Sequence, residues 1–441
     1  MLAPTSWQPR GREQTRMQSF RFVGVHNDSE MTFLMKKQIL AIAGMLLAGA
    51  GFIGGVFAAP IGNGVMLGDS GVRAYPWLKV DFNHEDNFFR TDGDIVPEKS
   101  TWINVIEPGI RLSALKGADA YNLAYLARIG TVFSSKNDNY VDHKVNANAN
   151  WDLGLRHRLG AKYEFLRWHD RRGSGDPGEG SRFNFLWPHP DIWNSNRVEA
   201  QYSFGAPGAR GRLDASAAKL FRRYQNNDQE IRDNDRTILD GTFYARIMPK
   251  TSLLFELNWE DIDYVNEERG VLTLDSQEWR IYGGVTWDTT AKTSGTVKLG
   301  YVAKDFDASA RADVSDFGWE IDLVWRPRTY STLDLVTKRA PQESADGFSD
   351  AVVISSIEGK WNHSWSTFIR STVTVFATDD DYSGSPVDRS DNRYRVGAGV
   401  FYTPMLWAEL GAEYRYETRT SNEELAEYTN NVLMFTFNGR F

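Results

Sequence analysis

The last eleven residues of the chain, Asn431 to Phe441, decide the fold and read Asn-Val-Leu-Met-Phe-Thr-Phe-Asn-Gly-Arg-Phe. Side chains of a β-strand point alternately to its two faces. One face of this segment is apolar and contains Leu433, Phe435, Phe437, Gly439 and Phe441. The other face is mostly polar and contains Met434, Thr436, Asn438 and Arg440. The pattern predicts a two-faced strand that runs to the carboxyl terminus and ends on an aromatic residue.

This ending distinguishes the segment from an ordinary strand, because a soluble β-sandwich has no particular reason to end on a strand of alternating aromatics. The segment resembles the last strand of outer-membrane β-barrels, which the barrel assembly machinery reads as its signal. The resemblance implies that Phe435, Phe437 and Phe441 form an assembly signal. The alternative at this point is an amphipathic edge strand of a soluble β protein.

The composition favours a barrel over a helical membrane protein. Of the 441 residues, 41% are hydrophobic and 13% aromatic, and the mean hydropathy is −0.46. Beyond residue 59 the chain has no run of about 20 apolar residues, the length that a membrane-spanning helix needs. A barrel fits these values because only every second residue of its strands faces lipid, and because aromatic girdles mark both membrane interfaces.

Charge and cysteine content exclude several classes of function. The net charge of −8 and the pI near 5.5 argue against a nucleic-acid partner, which needs a basic surface. The chain has no cysteine, which excludes disulfide frameworks, thiolate metal sites and cysteine nucleophiles. The lack of cysteine also fits passage through an oxidising periplasm.

The N-terminal region has the three parts of a secretory signal. Met35-Lys36-Lys37 is a basic start, residues 39–57 are apolar, and Ala58 or Ala59 ends a small-residue cleavage site. We therefore expect a signal peptide over 35–58, with an anchoring transmembrane helix as the alternative. Residues 1–34 have no apolar periodicity and are interpreted as an upstream start-site artefact. Residues 59–74 are expected to be a short periplasmic segment.

From residue 75 to residue 441 one pattern repeats: a two-faced segment of about ten residues, a turn, and another such segment. The clearest segment is predicted over Lys144 to Arg158. Tight turns are predicted near residues 116–117, 157–160, 206–208, 248–250, 289–292, 326–328, 362–363 and 403–405. Long polar connections are predicted around residues 91–99, 135–142, 171–195, 226–235, 264–275, 307–316, 340–350, 379–391 and 418–428.

The alternation of tight and long connections predicts an all-β fold, a transmembrane antiparallel up-and-down β-barrel of about 18 strands, with 16 as the alternative. An even strand number leaves both termini on the periplasmic side. A soluble β-propeller is the competing architecture, but it needs a four-strand blade repeat that the sequence lacks.

Charged residues on the polar face of the predicted strands are expected to line the barrel interior, since an arginine facing lipid at the midplane costs about 2–4 kcal/mol. The predicted set is Glu107, Arg111, Arg128, Arg156, Arg212, Arg222, Arg246, Glu256, Arg280, Glu320, Arg326, Arg370, Arg395, Glu409, Glu413 and Arg415. Two interpretations remain open. These charges brace the wall as ion pairs, or the arginines line a path for hydroxylated or anionic solutes. Tyr282 and Trp407 are candidate stacking surfaces for sugar rings.

Enzymatic motifs are incomplete, so no enzyme activity, metal or cofactor is expected. The chain lacks Gly-x-Ser-x-Gly, His-Glu-x-x-His and phosphate-loop sequences. His169 and His363 are the candidates for a hydrolase site, which would need a serine and an orienting group nearby. Asp379, Asp381 and Ser383 are like the start of a calcium loop, but its closing glutamate is absent. Gly397-Ala398-Gly399 is expected to relieve crowding on the inner wall.

A family resemblance rests on two stretches near the start of the repeat. They are Tyr-Pro-Trp-Leu-Lys-Val-Asp-Phe-Asn-His-Glu-Asp-Asn-Phe-Phe-Arg over 75–90 and Trp-Ile-Asn-Val-Ile-Glu-Pro-Gly over 102–109. They resemble the opening of the putative β-barrel porin 2 family, whose members are often associated with exopolysaccharide or capsule operons. The resemblance implies an outer-membrane conduit for a secreted polysaccharide, working with a periplasmic polysaccharide export protein. A diffusion porin for small solutes is the alternative function.

Overall fold

The computed structural model describes residues 64–94, 96–173, 184–206, 208–266, 272–288, 292–344, 349–385 and 387–441. The expected upstream extension and signal peptide, with the cleavage positions Ala58 and Ala59, lie outside the described residues. The strands are β1 (Val65–Met66), β2 (Val72–Glu85), β3 (Thr101–Lys116), β4 (Asp119–Val132), β5 (Tyr140–Asp152), β6 (His157–Asp170), β7 (Asp191–Phe204), β8 (Gly211–Tyr224), β9 (Asn234–Met248), β10 (Thr251–Tyr264), β11 (Ser276–Trp287), β12 (Thr293–Phe306), β13 (Val314–Arg328), β14 (Ser331–Glu343), β15 (Ala351–Ser364), β16 (Ile369–Ser383), β17 (Ser390–Met405), β18 (Ala408–Ser421) and β19 (Tyr428–Arg440). The described loops contain short 3-10 helices at Lys136–Asp138, Asn184–Leu186, Glu230–Arg232 and Glu424–Ala426.

Strands β2 to β19 form one closed antiparallel sheet, in which each strand pairs with its sequence neighbours. The ring closes where β19 pairs with β2, along a ladder from Val432 opposite Glu85 to Arg440 opposite Trp77. The predicted barrel of about 18 strands is confirmed, and the alternative of 16 is wrong. Strand β1 is an additional strand that pairs with Arg73 and Ala74 at the start of β2, inside the range 59–74 that was predicted to be a short periplasmic segment.

The connections alternate in length, as the sequence predicts. The strand bounds leave short turns at 117–118, 153–156, 205–210, 249–250, 288–292, 329–330, 365–368 and 406–407, and we name this end the short-turn rim. The remaining connections, 86–100, 133–139, 171–190, 225–233, 265–275, 307–313, 344–350, 384–389 and 422–427, form the long-loop rim. Phe441 lies at the short-turn rim, where its backbone N–H donates to the carbonyl of Pro76 at 3.0 Å. The periplasmic location of this rim stays a prediction.

Two predicted strand boundaries are wrong near Arg156. The sequence pattern runs through Leu153 and Leu155, so it predicts one strand from Lys144 to Arg158 and a turn at 157–160. In the structure β5 ends at Asp152, the turn occupies 153–156, and β6 begins at His157. Gly154 has a φ of +108°, a conformation that glycine adopts readily, and it turns the chain while the apolar alternation continues.

Other predicted turns occur a few residues later than the sequence signals. Pro327 and Pro404 lie in the last residues of β13 and β17, and the turns follow at 329–330 and 406–407. The register shifts at both places, between Trp325 and Arg328 and between Tyr402 and Met405. Proline is tolerated at such irregularities because it has no N–H to donate to the ladder. His363 likewise lies inside β15, before the turn at 365–368.

The two faces of the wall differ in chemistry. One face carries exposed apolar side chains at mid-height, among them Leu123, Val198, Leu239, Leu257, Leu299, Ile357, Val375, Val396 and Leu433. The other face carries the charged residues. Arg171 after β6 contacts Glu85 at the end of β2, four strands away. Side chains of strands so far apart meet only on the concave side of a closed sheet, so the charged face is the inner face.

Aromatic residues form bands on the outer face near both rims. Phe204, Trp325 and Tyr402 are exposed close to the short-turn rim. Trp102, Phe221, Phe317, Tyr394 and Tyr416 are exposed in the upper part of the wall, toward the long-loop rim. Such bands, with an apolar zone between them, are typical of the two interfaces of a membrane-embedded barrel. Among the described residues there is no helix of sufficient length and apolarity to span a membrane.

Candidate functional site

The barrel interior is the candidate functional site, and nearly all the charges predicted to line it lie on strands with an inward register. The pairing places Arg111, Arg128, Arg212, Arg246, Glu256, Arg280, Glu320, Arg326, Arg370, Arg395, Glu409, Glu413 and Arg415 on the face opposite the exposed apolar residues, together with Glu107 and Arg222. Arg156 is the exception. It lies in the turn 153–156 at the short-turn rim, and the prediction of an inward position within a strand is wrong for it.

A ladder of alternating charges crosses the inner wall at mid-height. Lys298 on β12 lies 2.7 Å from Glu256 on β10 and 2.5 Å from Glu320 on β13. Glu320 continues the ladder to Lys338 on β14 at 3.3 Å. The two glutamates were predicted from sequence, whereas the two lysines were missed. Each charge therefore neutralises its neighbours, which supports the interpretation of these residues as braces of the wall.

A second cluster lies on β17, β18 and the first long loop. Glu417 forms ion pairs with Arg395 at 3.0 Å and with Arg415 at 2.7 Å, and it accepts a hydrogen bond from Arg90 at 3.1 Å. Arg90 lies in the first long loop, 86–100, so this contact ties the loop to the wall. Glu417 is buried, and it is not in the set of charges predicted from sequence to line the interior. Its inward position could have been predicted, since it continues the alternation of Glu413 and Arg415.

The wall formed by β3 to β7 combines charges with neutral polar groups. Arg128 lies 3.0 Å from Glu107, and Lys162 lies 3.0 Å from Glu199. Below these pairs, the hydroxyl of Ser113 donates to Asn122 at 2.6 Å, and the Asn122 amide donates to Asn148 at 3.2 Å. Hydroxyl and amide groups of this kind can exchange hydrogen bonds with water or with sugar hydroxyls.

The first long loop turns into the barrel at the long-loop rim. Phe88 is buried against Ile103, Val105 and Val132, which face inward from β3 and β4. Arg171 donates to the Phe88 carbonyl at 2.7 Å and pairs with Glu85 at 2.6 Å. The predicted long loops therefore form packed structure at this rim. We name the segment of residues 86–90 with Arg171 the Phe88 lid.

The tip of the β14–β15 hairpin also moves inward at the long-loop rim. β13 and β14 are paired only up to Trp319 and Arg339, and residues 340–343 pair with β15 alone. Glu343 at the tip lies 2.9 Å from Arg236 on β9 and 3.2 Å from Lys304 on β12. On a flat sheet β9 and β14 would lie about 24 Å apart, so the tip must lean across the lumen.

Apolar packing holds the hairpin tip in this position. Ala351 and Val353 of β15 are buried with Phe306 and Val314, and Leu274 from the preceding long loop packs against them. Together, the Phe88 lid and the hairpin tip narrow the long-loop mouth from two sides. Neither inward element is visible in the alternating pattern of the sequence, because both depend on contacts between distant strands.

The short-turn mouth is different, because several arginines there lie on aromatic rings. The Arg111 guanidinium lies 5.1 Å from the ring centroid of Tyr75, and that of Arg212 lies 4.3 Å from Tyr244. Arg370 lies 4.0 Å from the ring centroid of Phe401. The Phe401 ring occupies space left by inner-wall glycines, since an added Cβ at Gly399 would come within 3.2 Å of it, which agrees with the expected role of this glycine.

The candidate residues for catalysis and metal binding lie in different parts of the barrel and do not form one cluster among the described residues. His169 lies 2.8 Å from Asp142 and stacks on Tyr140, while His363 packs among Tyr330, Trp361 and Trp365 near the short-turn rim. In the described part of the chain no group of three or more potential ligands could hold a metal ion. The acidic segment of residues 379–383 lies within β16 rather than in a loop.

The structure also separates the two aromatic residues proposed as inward stacking surfaces. Tyr282 faces the interior, but it is only 1% exposed and lies beneath Lys298. Trp407 lies in the turn before β18 and stacks on Phe441, with ring centroids 5.6 Å apart. The prediction that Trp407 faces inward is therefore wrong, because β18 begins at Ala408, two residues later than the pattern indicates.

Comparison with a sequence model of a known family agrees with the architecture. A sequence model of the family described as putative beta-barrel porin 2 matches residues 72–441. No protein with a curated description matches the chain in sequence. Among solved structures, a mutant ferric enterobactin receptor of Pseudomonas aeruginosa is 8% identical, with 83% of this chain and 80% of that chain covered and a TM-score of 0.43.

Two further solved structures are similar at the same level. The FrpB iron transporter of Neisseria meningitidis is 11% identical, with 83% of this chain and 81% of that chain covered and a TM-score of 0.41. A loop-deletion mutant of OmpT, an outer membrane protein of Vibrio cholerae, is 10% identical, with 84% and 99% covered and a TM-score of 0.38.

Proposed function

This chain belongs to the putative beta-barrel porin 2 family and is an outer-membrane β-barrel, and from that premise we propose that it exports a secreted exopolysaccharide or capsular polysaccharide. The polymer passes through the barrel without chemical change. A periplasmic polysaccharide export protein delivers the polymer to the short-turn rim, which faces the periplasm. The alternative is a diffusion porin for small solutes.

The ion-paired inner wall carries this proposal. Its charges are mostly matched by neighbours of opposite sign, as in the ladder from Glu256 through Lys298 and Glu320 to Lys338. Such a wall is hydrophilic, and most of the mid-height charges that the structure describes are engaged by neighbours of opposite sign, with Glu413 as an exception, so few of them would hold a solute tightly. Passage requires contacts that are favourable enough for entry and weak enough for release. A polymer with many hydroxyl groups could slide along such a surface.

The narrowed long-loop mouth favours a polymer conduit over a permanently open diffusion porin. The Phe88 lid and the tip carrying Glu343 are tied to the wall by several ion pairs. Two inward elements held in this way narrow the mouth until they are displaced. We propose that the polymer displaces them during export, so small solutes pass poorly when no polymer is present.

Deletion of the gene tests the proposal in cells. We expect surface polysaccharide to be lost while uptake of small sugars stays unchanged, and restoration of the polysaccharide by the wild-type chain is the control. Normal surface polysaccharide together with reduced uptake of small solutes would favour the diffusion porin.

Incubation of the purified barrel with phospholipid or polymer tests whether the barrel hydrolyses either of them. Hydrolysis that disappears in His169→Ala or His363→Ala would show that it is an enzyme.

A further inference from the structure

An aromatic ring flanked by arginines lies on the inner wall at the short-turn rim. Trp77 of β2 pairs in register with Gly109 of β3 on one side and with Arg440 of β19 on the other. Two residues away on the same face, Tyr75 pairs with Arg111. These five residues form what we name the Trp77 subsite.

Gly109 is the reason that the Trp77 ring lies flat against the wall. A Cβ built on Gly109 would come within 2.1 Å of the indole, so any other residue would push the ring away. Trp77 is half-buried, with part of its ring open to the interior. Flat aromatic surfaces in polar surroundings can pack against the apolar face of a sugar ring. Glycine therefore makes room for a surface suited to a sugar.

Arg111 adds a positive charge that the wall does not neutralise. Its guanidinium lies over the Tyr75 ring, and its Nε is buried without a hydrogen-bond partner. Among the described residues, no carboxylate lies within ion-pair distance of Arg111, in contrast to the arginines higher in the barrel. Its planar fork of donors matches the two oxygens of a carboxylate.

Basic residues exceed acidic ones on the inner face around this mouth, although the whole chain has a net charge of −8. The basic side chains within the first few residues of the strands at this rim are Arg73, Arg111, Arg158, Arg212, Arg246, Arg326, Lys360, Arg370 and Arg440, against the acidic Asp152, Asp214, Asp334 and Glu409. An excess of one sign of charge at a mouth raises the local concentration of oppositely charged solutes.

We propose that the Trp77 subsite binds a sugar residue that carries a carboxylate, and that the transported polymer is therefore an acidic polysaccharide. Trp77 packs against the sugar ring, while Arg111 pairs with the carboxylate and Arg440 provides a second positive charge. This inference rests on the proposed function, because it assigns the chemical class of the polymer that enters at this rim.

Binding of short oligosaccharides to the purified full-length barrel tests the subsite. The probes are oligogalacturonate, in which every sugar carries a carboxylate, and a neutral malto-oligosaccharide of equal length, with titration calorimetry in detergent as the readout. We expect tighter binding of the acidic probe. Arg111→Gln should weaken acidic binding about tenfold and leave neutral binding unchanged, since it removes a charge-assisted hydrogen bond. Trp77→Ala should weaken binding of both probes.

Matched variants control for charge and for aromatic content. Lys116→Gln removes a positive charge from the exposed last residue of β3 at the same rim, and Trp151→Ala removes a tryptophan whose register faces outward. Both should bind the acidic probe like the wild type. Heat-dependent migration in gels verifies that every variant is a folded barrel.

Equal affinity for the two probes, or an Arg111→Gln effect no larger than that of Lys116→Gln, would overturn the subsite. Neither result contradicts the export proposal, which is tested by the amount of surface polysaccharide on cells that lack the gene. Conversely, normal surface polysaccharide in the deletion strain would contradict the export proposal. Tighter binding of the acidic probe by the purified barrel would still support the subsite.

Discussion

At the residue scale, the inner wall shows how a membrane barrel accommodates many charges. The side chain of Lys304 is fully buried, and its ammonium group lies 3.1 Å from the carboxylate of Glu278 and 3.2 Å from that of Glu343. Burial of a charge is costly unless partners compensate for its lost hydration. Exposed pairs contribute much less, because water already screens them. The depth of a pair, rather than its presence, therefore decides its importance to stability.

Lys304→Met tests this difference. It leaves the buried Glu278 and the half-buried Glu343 with one cation fewer, so we expect the free energy of unfolding to fall by about 3 kcal/mol. The control is Lys79→Met, because Lys79 pairs with Asp81 but its side chain is 35% exposed. We expect that change to cost less than about 1 kcal/mol. Urea titration in lipid vesicles measures both, and equal losses would contradict the role of burial.

At the element scale, two segments depart from a regular wall, and both narrow the long-loop mouth. The Phe88 lid is held by apolar packing, and the β14–β15 tip by contacts of Glu343 across the lumen. Strand β14 loses its pairing with β13 above Arg339, which frees the tip to lean inward. An element that can be displaced must have contacts that can also be broken without unfolding the barrel.

Phe88→Ala should release the lid while the barrel remains intact. The change removes the aromatic side chain that packs on Ile103, Val105 and Val132, so the loop loses its apolar anchor. We expect higher single-channel conductance in planar bilayers than for the wild type. Phe133→Ala is the control, because that ring is 59% exposed and is not part of the lid. Unchanged conductance in Phe88→Ala would show that the lid does not limit passage.

The last strand gives a second prediction at this scale. Phe441 stacks on Trp407, and its backbone N–H donates to Pro76 beside the seam between β19 and β2. Removal of Phe441 should lower the amount of folded barrel in the outer membrane, because the predicted assembly signal ends on this aromatic residue. Refolding of the purified chain in detergent should change little, since one ring at the rim contributes modestly to stability.

Comparison of the two assays separates recognition from stability. Phe82→Ala, which removes an exposed aromatic ring from the neighbouring strand β2, is the control in both. Loss of detergent refolding on deletion of Phe441 would mean that Phe441 acts through stability. Normal assembly in cells would mean that the terminal aromatic is not the signal.

At the scale of the whole molecule, the orientation of the barrel decides which mouth the polymer enters. The proposal places the short-turn rim in the periplasm and the long-loop rim outside the cell. The absence of cysteine allows a direct test, because single introduced thiols have no background. A membrane-impermeant maleimide should label Glu230→Cys, on a long loop, in intact cells.

The same reagent should reach Arg210→Cys, in the turn before β8, only after the outer membrane is permeabilised. Both positions are exposed, so a difference in labelling reports their side of the membrane. The reverse pattern would place the short-turn rim outside, and the polymer would then enter from the long-loop mouth.

The sequence alone predicted where most strands lie, that there are about 18 of them, and which residues share each face. These features are local, because side chains alternate along any strand whatever it pairs with. The inward register of residues such as Arg111 and Glu320 follows from the same alternation. Errors at Arg156 and Trp407 arose where the alternation ran on through a turn, so that nothing in the pattern marked the end of a strand.

Only the tertiary structure decided which charges are paired, which segments fill the mouth and where an unpaired arginine remains. Glu343 meets Arg236 across five strands, and Phe88 packs on strands that follow it in the chain. Closure of the ring brings such groups together, and it depends on all the strands at once. Trp77 lies between Gly109 and Arg440 because the first and last strands of the ring are neighbours, a contact that no local pattern contains.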